Sequence, residues 1–102
     1  MTKIAPIVNQ EKADRFNRMF PPRIKQMAKQ IQLIENCSNK HNYEWAYTDT
    51  VTTFFIVIFK ELTLVARKFD LVVDVSIEGK SIEDTYEDAN DQYQEYMEEQ
   101  NV

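Results

Sequence analysis

The sequence predicts a mainly α-helical protein, a small bundle of about four helices with an optional short strand at residues 71–78. Two observations lead to this class: apolar residues recur at spacings of three and four along most of the chain, and a clear alternation with a period of two is confined to residues 71–78. With 102 residues, 43% of them hydrophobic, the chain can build one core. We therefore expect a single helical domain over residues 1–102, with a flexible lead at 1–8 and an acidic C-terminal helix at 81–102.

The first third of the chain predicts two helices. One is expected to start after Asn9, a good capping residue, and to end near Met19, because a proline disfavours helical backbone in the residue before it. Pro22 suits the first position of a second helix, which is expected to reach Glu35. The apolar stripe of this second helix is Ile24, Met27, Ala28, Ile31 and Ile34. A polar loop follows.

The segment Asp49–Phe69 contains two conflicting signals. Its first part, Val51–Phe59, is rich in β-branched and aromatic residues, which favour strands. Over the whole segment, however, apolar residues keep a 4-3-4-3-4 spacing, which is typical of a helix with a heptad seam. These residues are Val51, Phe55, Ile58, Leu62, Val65 and Phe69. We expect a helix that is apolar nearly all round, hence central and enclosed, and we expect a homodimer to help enclose it.

Between this helix and the last one, apolar and polar residues alternate over 71–78 before Gly79, which is a strand signal. Such a strand would pair with its twin in a dimer or with a short strand around Tyr43–Tyr47. The last helix is expected from Ser81, a capping residue that forms a variant capping box with Asp84, to about Glu99.

The charge is distributed very unevenly. Residues 81–102 carry eight acids and no Lys or Arg, so this segment contributes −8 to a net charge of −5 and the other 80 residues contribute +3. Five acids stand four residues apart and would form a ridge along a helix, with steps of about 6 Å. The ridge consists of Glu83, Glu87, Asp91, Glu95 and Glu99.

The acidic ridge has three interpretations: a solvated face that keeps the protein soluble, a mimic of the phosphates of nucleic acid, or a partner for Arg15, Arg18 and Arg23 within the chain. The tyrosines of the same helix are either a core seam or aromatic anchors beside the acids. They are Tyr86, Tyr93 and Tyr96. Our first hypothesis is a regulatory or inhibitory protein that presents the ridge and these tyrosines to a basic protein surface.

Two alternatives belong to other functional classes. Basic residues with aromatic neighbours could bind single-stranded nucleic acid, since cations contact phosphates and rings stack on bases. The candidates are Arg15, Arg18, Arg23, Lys25, Lys29, Tyr43 and Trp45. The other alternative is a structural homo-oligomeric subunit whose heptad seams pack together.

Composition argues against several other classes. One glycine cannot build a phosphate-binding loop, and a single cysteine, Cys37, with a single histidine, His41, excludes an intrachain disulfide and makes a four-ligand zinc site implausible. We expect no enzyme activity, cofactor or metal. The longest apolar run, Phe54–Phe59, is far shorter than the roughly 20 residues of a bilayer span, so we expect no membrane segment. The first residues contain no apolar stretch of signal-peptide length, so we expect a cytoplasmic protein.

Overall fold

The computed structural model describes residues 9–45 and 49–100, which fall into two compact units, one within Met1–Trp45 and one within Ala46–Val102. The elements are α1 (Gln10–Asn36), α2 (Asp49–Lys68), β1 (Ser76–Ile77), β2 (Lys80–Ser81) and α3 (Ile82–Gln100). The mainly helical class is confirmed, although the described residues form three helices and not about four. None of these helices has the length and apolarity needed to cross a membrane.

The first unit contains one long helix where the sequence predicted two. Helix α1 continues through Pro21 and Pro22, so the prediction of a helix end near Met19 and a new start at Pro22 was wrong. Proline keeps a helical φ but cannot donate to the carbonyls of Asn17 and Arg18. Because this stretch is exposed, water can satisfy those carbonyls and the interruption is tolerated.

Both ends of α1 are capped locally. The side chain of Asn9 accepts a hydrogen bond from the backbone N–H of Lys12 at 2.9 Å, as predicted for the capping residue. At the other end the Cys37 N–H donates to the Ile34 carbonyl at 3.0 Å. No residue of α1 is buried, and its apolar stripe, including Ile31 and Ile34, remains exposed.

Helix α2 confirms that the Asp49–Phe69 segment is helical despite its β-favouring residues. Its C-terminal end is a Schellman motif, in which the Leu71 N–H donates to the Ala66 carbonyl and the Asp70 N–H to the Arg67 carbonyl, both at 3.0 Å. Asp70 occupies the left-handed position with φ of 63°. Arg67 and Lys68 in the last turn complement the helix dipole.

The core of the second unit lies between α2 and α3. It comprises Ile56 and Val57 of α2 with Ile82 and Ala89 of α3, and residues such as Val75 pack around it. Two threonines of α2 are also buried, and both are hydrogen-bonded: Thr53 Oγ1 donates to Gln92 Oε1 at 3.2 Å, and Thr63 Oγ1 donates to the Lys60 carbonyl at 2.8 Å. The two helices are thus joined by a small apolar core with satisfied polar groups at its edges.

Among the described residues, α2 is covered by α3 on one side and exposed on the opposite side. The residues that face α3 are the buried ones, whereas the six residues with heptad spacing are exposed by 37–50%. On a helical wheel the two sets point in directions about 180° apart. We call the exposed set the α2 seam; its members are Val51, Phe55, Ile58, Leu62, Val65 and Phe69.

The alternating segment forms a short hairpin and not a strand over 71–78. Ser76–Ile77 pairs antiparallel with Lys80–Ser81, so its partner is neither a twin nor a strand near Tyr43–Tyr47, part of which lies outside the described residues. The loop has positive φ at both Glu78 (55°) and Gly79 (77°), which is the geometry of a type I′ turn. This two-residue turn therefore pairs β1 with β2, its neighbour in the chain.

Helix α3 starts close to the predicted position and is capped by Ser81, whose Oγ accepts from the Glu83 N–H at 3.2 Å. The Ile82 N–H donates to the Val75 carbonyl at 3.1 Å, which ties the start of the helix to the preceding segment. Ile82 is 1% exposed and is the most buried apolar side chain of the unit.

Ile82→Ala should lower the free energy of unfolding by about 2–4 kcal/mol, because it leaves a cavity in a core of very few side chains. Urea unfolding of the full chain, followed by circular dichroism, measures the change. Val72→Ala serves as the control, since Val72 is 92% exposed and should change stability by less than about 0.5 kcal/mol. Equal losses in the two variants would contradict the assignment of Ile82 to the core.

Asp70→Gly should raise the free energy of unfolding by about 0.5–1 kcal/mol, because glycine adopts the left-handed conformation without the steric cost that a Cβ brings. The same urea experiment measures it. Asp70→Ala removes the charge from the end of α2 but keeps the Cβ, so it should bring no comparable gain. If both variants were stabilised equally, the charge and not the backbone conformation would be responsible.

Candidate interaction surface on the acidic helix

Seven of the eight acids of α3 lie on the side of the helix that faces away from α2, and Glu83 lies at the edge of that side, within reach of α2. The core-facing side is formed by Ile82, Ala89 and the tyrosines, and the carboxylates occupy the opposite half of the helical wheel. Every one of these acids is exposed. The structure therefore presents a continuous acidic face about 24 Å long, from Glu83 to Glu99 at 1.5 Å rise per residue.

The first member of the ridge is held within the second unit. Glu83 Oε2 accepts from Lys60 Nζ at 2.7 Å, and Glu83 Oε1 accepts from Arg67 Nη2 at 3.1 Å. The hydrogen bond from Lys60, together with the charges of Lys60 and Arg67, lowers the pKa of Glu83, although partial desolvation opposes this. Glu83 is thus a link between α3 and α2.

The sequence analysis did not identify Lys60 and Arg67 as partners of the ridge. The two cations are seven residues apart on α2 and therefore share one side of that helix, which is a signal the sequence contains. Lys60 also lies 5.5 Å from the centre of the Tyr86 ring. The sequence does not show which residue of α3 lies beside these two cations, because that depends on how α2 and α3 pack together.

The other four acids of the ridge form no ion pair or hydrogen bond with any residue that the structure describes. They are Glu87, Asp91, Glu95 and Glu99. Like charges four residues apart each oppose helix formation by about 0.2–0.5 kcal/mol. Within residues 9–45 and 49–100 this repulsion is relieved only at Glu83, so a cationic ligand would find the remaining carboxylates unpaired.

The tyrosines lie mainly beneath the acids and not among them. Tyr86 and Tyr93 are partly buried and pack against the core. The ring of Phe54 makes edge-to-face contacts with Tyr93 and Tyr96, at centroid distances of 5.2 and 5.1 Å. Tyr96 is 39% exposed and is the tyrosine most accessible from the acidic side. Tyr86 and Tyr93 are thus part of the apolar contact between α3 and α2.

The basic candidates of the first unit are exposed on α1, and four of them share one side of the helix. Arg15, Arg18, Lys25 and Lys29 fall within an arc of about 80°, whereas Arg23 points well away from them. Arg15 also pairs with Glu11 at 3.7 Å. These four cations could contact phosphates. The stacked rings of Phe16 and Phe20, however, lie on the opposite side of α1 and are not beside the cations.

The aromatic candidates of the loop after α1 are engaged differently. Trp45 is partly buried, its Nε1 donates to the Ser38 carbonyl at 3.0 Å, and Lys40 Nζ lies 4.6 Å from its ring centre. Tyr43 is 52% exposed. Cys37 is exposed beyond the end of α1, and no group of three or more metal-binding side chains occurs among the described residues. Trp45 thus contacts the loop that precedes it through both its ring and its N–H.

Comparisons with models of protein families, with curated proteins and with solved structures find no match to this chain.

Glu83→Gln should flatten the acid dependence of stability. Because the folded-state pKa of Glu83 is lowered, the folded protein binds fewer protons than the unfolded one between the two pKa values. Its stabilising contribution is therefore present above the ordinary pKa of 4.5 and is lost as the pH falls through the folded-state value.

Urea unfolding at several pH values from roughly 3 to 6 checks this prediction. The wild type should lose stability more steeply than Glu83→Gln over that range. Glu87→Gln removes an unpaired carboxylate from the same helix face and should follow the wild type. Parallel curves for wild type and Glu83→Gln would show that the ion pairs with Lys60 and Arg67 do not stabilise the protein.

Proposed function

We propose that this chain is a small non-enzymatic interaction protein that uses the acidic face of α3 to bind a basic surface of another protein. The observation that supports it is the set of four exposed carboxylates without a described cationic partner, held on a helix whose other side is anchored to α2. A rigid row of like charges attracts an oppositely charged surface before contact and orients it.

The spacing of these carboxylates indicates what kind of basic surface fits. Successive acids of the ridge are separated by about 6 Å along the helix axis, so they form a regular row of negative charges, as the phosphates of a nucleic-acid strand do. A protein groove that binds a nucleic-acid backbone would offer cations at a matching interval. We therefore propose a regulator or inhibitor that occupies such a groove in place of nucleic acid.

The tyrosines have a supporting role in this proposal. Tyr86 and Tyr93 hold α3 on α2, so they are not available as deeply inserted anchors. Tyr96, on the other hand, is part exposed and rests on Phe54 in an edge-to-face contact. Affinity would then come from the carboxylates, with Tyr96 as the one aromatic contact at the edge of the surface.

A structural homo-oligomeric subunit is the second candidate, and the exposed α2 seam favours it. Binding of single-stranded nucleic acid has less support. The rings of Phe16 and Phe20 lie on the other side of α1 from the basic row, and Trp45 is already in contact with Lys40 and donates a hydrogen bond to the loop backbone. Stacking on bases would require Trp45 to give up these contacts.

The triple variant Glu87→Lys, Asp91→Lys and Glu95→Lys tests the first proposal. Proteins retained by the immobilised wild-type chain are identified, and the Kd of the purified pair is measured at several salt concentrations. We expect the triple variant to raise Kd by at least about tenfold, because three attractive contacts become repulsive, while its circular dichroism stays unchanged.

The control variant carries the same change of charge elsewhere: Asp14→Lys, Glu35→Lys and Glu44→Lys. Its Kd should stay within about twofold of the wild type, since these acids are on or after α1. Equal loss in both variants, or none in either, would contradict a role for the acidic face. Titration with a single-stranded oligonucleotide at low salt tests the nucleic-acid alternative. Binding through Trp45 would quench its fluorescence, and an unchanged signal would contradict that alternative.

A further inference from the structure

The segment that leads from α2 through β1 has the side-chain pattern of a strand along its whole length. Burial alternates from residue 72 to residue 78: Val73, Val75 and Ile77 are partly buried, whereas the residues between them are exposed. Val75 and Ile77 pack against the core of the second unit. One side of the segment therefore faces the core and the other faces solvent, as in an extended strand on the surface of a domain.

The hairpin determines which edge of this strand is paired. Ile77 and Lys80 flank the two-residue turn, so their backbone N–H and C=O groups face each other. The Val75 carbonyl accepts from the Ile82 N–H at 3.1 Å on the same edge. Successive residues of a strand direct their backbone groups to opposite edges, so every second residue points the other way. These residues define the outer edge; they are Val72, Asp74 and Ser76.

The backbone groups of the outer edge have no partner within the described residues 9–45 and 49–100. No N–H or C=O group of the three residues forms a hydrogen bond there. All three residues are exposed, and Val72 is exposed by 92%, so its backbone is accessible to solvent together with its side chain. Three donors and three acceptors along an accessible edge form a template on which another strand can pair.

The charges beside the outer edge determine which kind of strand fits. Residues 70–79 contain three acids and no Lys or Arg, and none of these acids forms an ion pair with a described residue. The acids are Asp70, Asp74 and Glu78. Opposite charges on neighbouring strands attract and like charges repel. A basic strand therefore complements this edge, whereas the same edge of a second copy would bring two sets of acids together.

We propose that the outer edge is a docking site for an extended basic peptide segment of another protein, which adds to β1 as an antiparallel strand. Main-chain hydrogen bonds to the edge hold the peptide, and its alternate side chains give selectivity. The exposed side of β1 calls for Lys or Arg opposite Asp74, a hydroxyl opposite Ser76 and an apolar side chain opposite Val72.

This site is separate from the protein-binding surface proposed on α3. The acidic face binds through charge alone and needs no particular conformation of its partner, whereas the outer edge needs an extended backbone with unblocked N–H groups. The outer edge contains none of the four unpaired acids of the ridge. Either proposal can therefore fail without the other, and variants of Asp74 and Asp91 distinguish the two sites.

A labelled peptide with the sequence Lys-Thr-Thr-Val-Lys-Thr-Val tests the proposal in a titration with the full chain, read by fluorescence anisotropy. In the proposed register its second lysine lies opposite Asp74 and its last valine opposite Val72. We expect saturable binding with a Kd on the order of 100 µM, because the contact is short. A titration without curvature up to about 1 mM would overturn the proposal.

Methylation of single peptide nitrogens separates main-chain pairing from attraction by charge and leaves the protein unchanged. A methyl group on the nitrogen opposite Asp74 should raise Kd by at least about tenfold, because that N–H points at the outer edge. The same group on the nitrogen opposite Val75 points away and should change Kd by less than about twofold. Equal effects of the two methyl groups would contradict pairing at this edge.

Amide hydrogen exchange, followed by NMR, locates the peptide. At a peptide concentration ten times Kd, the amides of Val72, Asp74 and Ser76 should exchange about tenfold more slowly, while that of Val73 keeps its rate. Slower exchange of the same three amides at high protein concentration without peptide would identify a second copy as the occupant and overturn the proposal.

Charge variants show whether the peptide binds at the outer edge or on the acidic face. Asp74→Lys should raise Kd by at least about fivefold, because the peptide lysine then meets a like charge. Asp91→Lys makes the same change of charge on the acidic face and should leave Kd within about twofold of the wild type. Equal losses, or a loss only in Asp91→Lys, would overturn the assignment to the outer edge.

Discussion

The packing of α3 on one side of α2 is the interaction on which the rest of the second unit depends. Ile56 and Val57 pack with Ile82 and Ala89 of α3, and partly buried residues such as Val75 and Tyr86 pack around this core. The ends of this contact are secured by polar groups, by the hydrogen bond between Thr53 and Gln92 and by the ion pairs of Glu83. One helix can cover only one side of another, so the opposite side of α2 stays uncovered by this contact.

The same contact explains the charge distribution on α3. Its inner half is filled by Ile82, Ala89 and the tyrosines, so the acids lie on the outer half, with Glu83 at the edge beside α2. Repulsion among the acids disfavours the helix, whereas the Ser81 cap and the buried inner side favour it. The helix is thus stabilised from one side only. A cationic ligand on the outer side would reduce the repulsion without disturbing the core.

Helical spacing predicted α2 and α3 well, because a pattern sustained over some 20 residues outweighs local preferences such as those of Val51–Phe59. The spacing could not predict which side of α2 packs against α3. Helix α2 is apolar on two opposite sides, and the choice between them depends on the shape of α3. The Pro21–Pro22 error has another cause: a proline pair is a strong local stop signal, but an exposed helix tolerates the missing donors. The hairpin followed from turn geometry at Glu78 and Gly79, which alternation alone does not encode.

The spacing of the acids predicted the acidic ridge. It did not predict that Glu83 would form ion pairs with α2 while the other four acids form none with the described residues. Glu83 reaches Lys60 and Arg67 because it lies in the first turn of α3, beside the second half of α2. The later acids extend along a stretch where α2 offers threonine and aromatic side chains in place of cations.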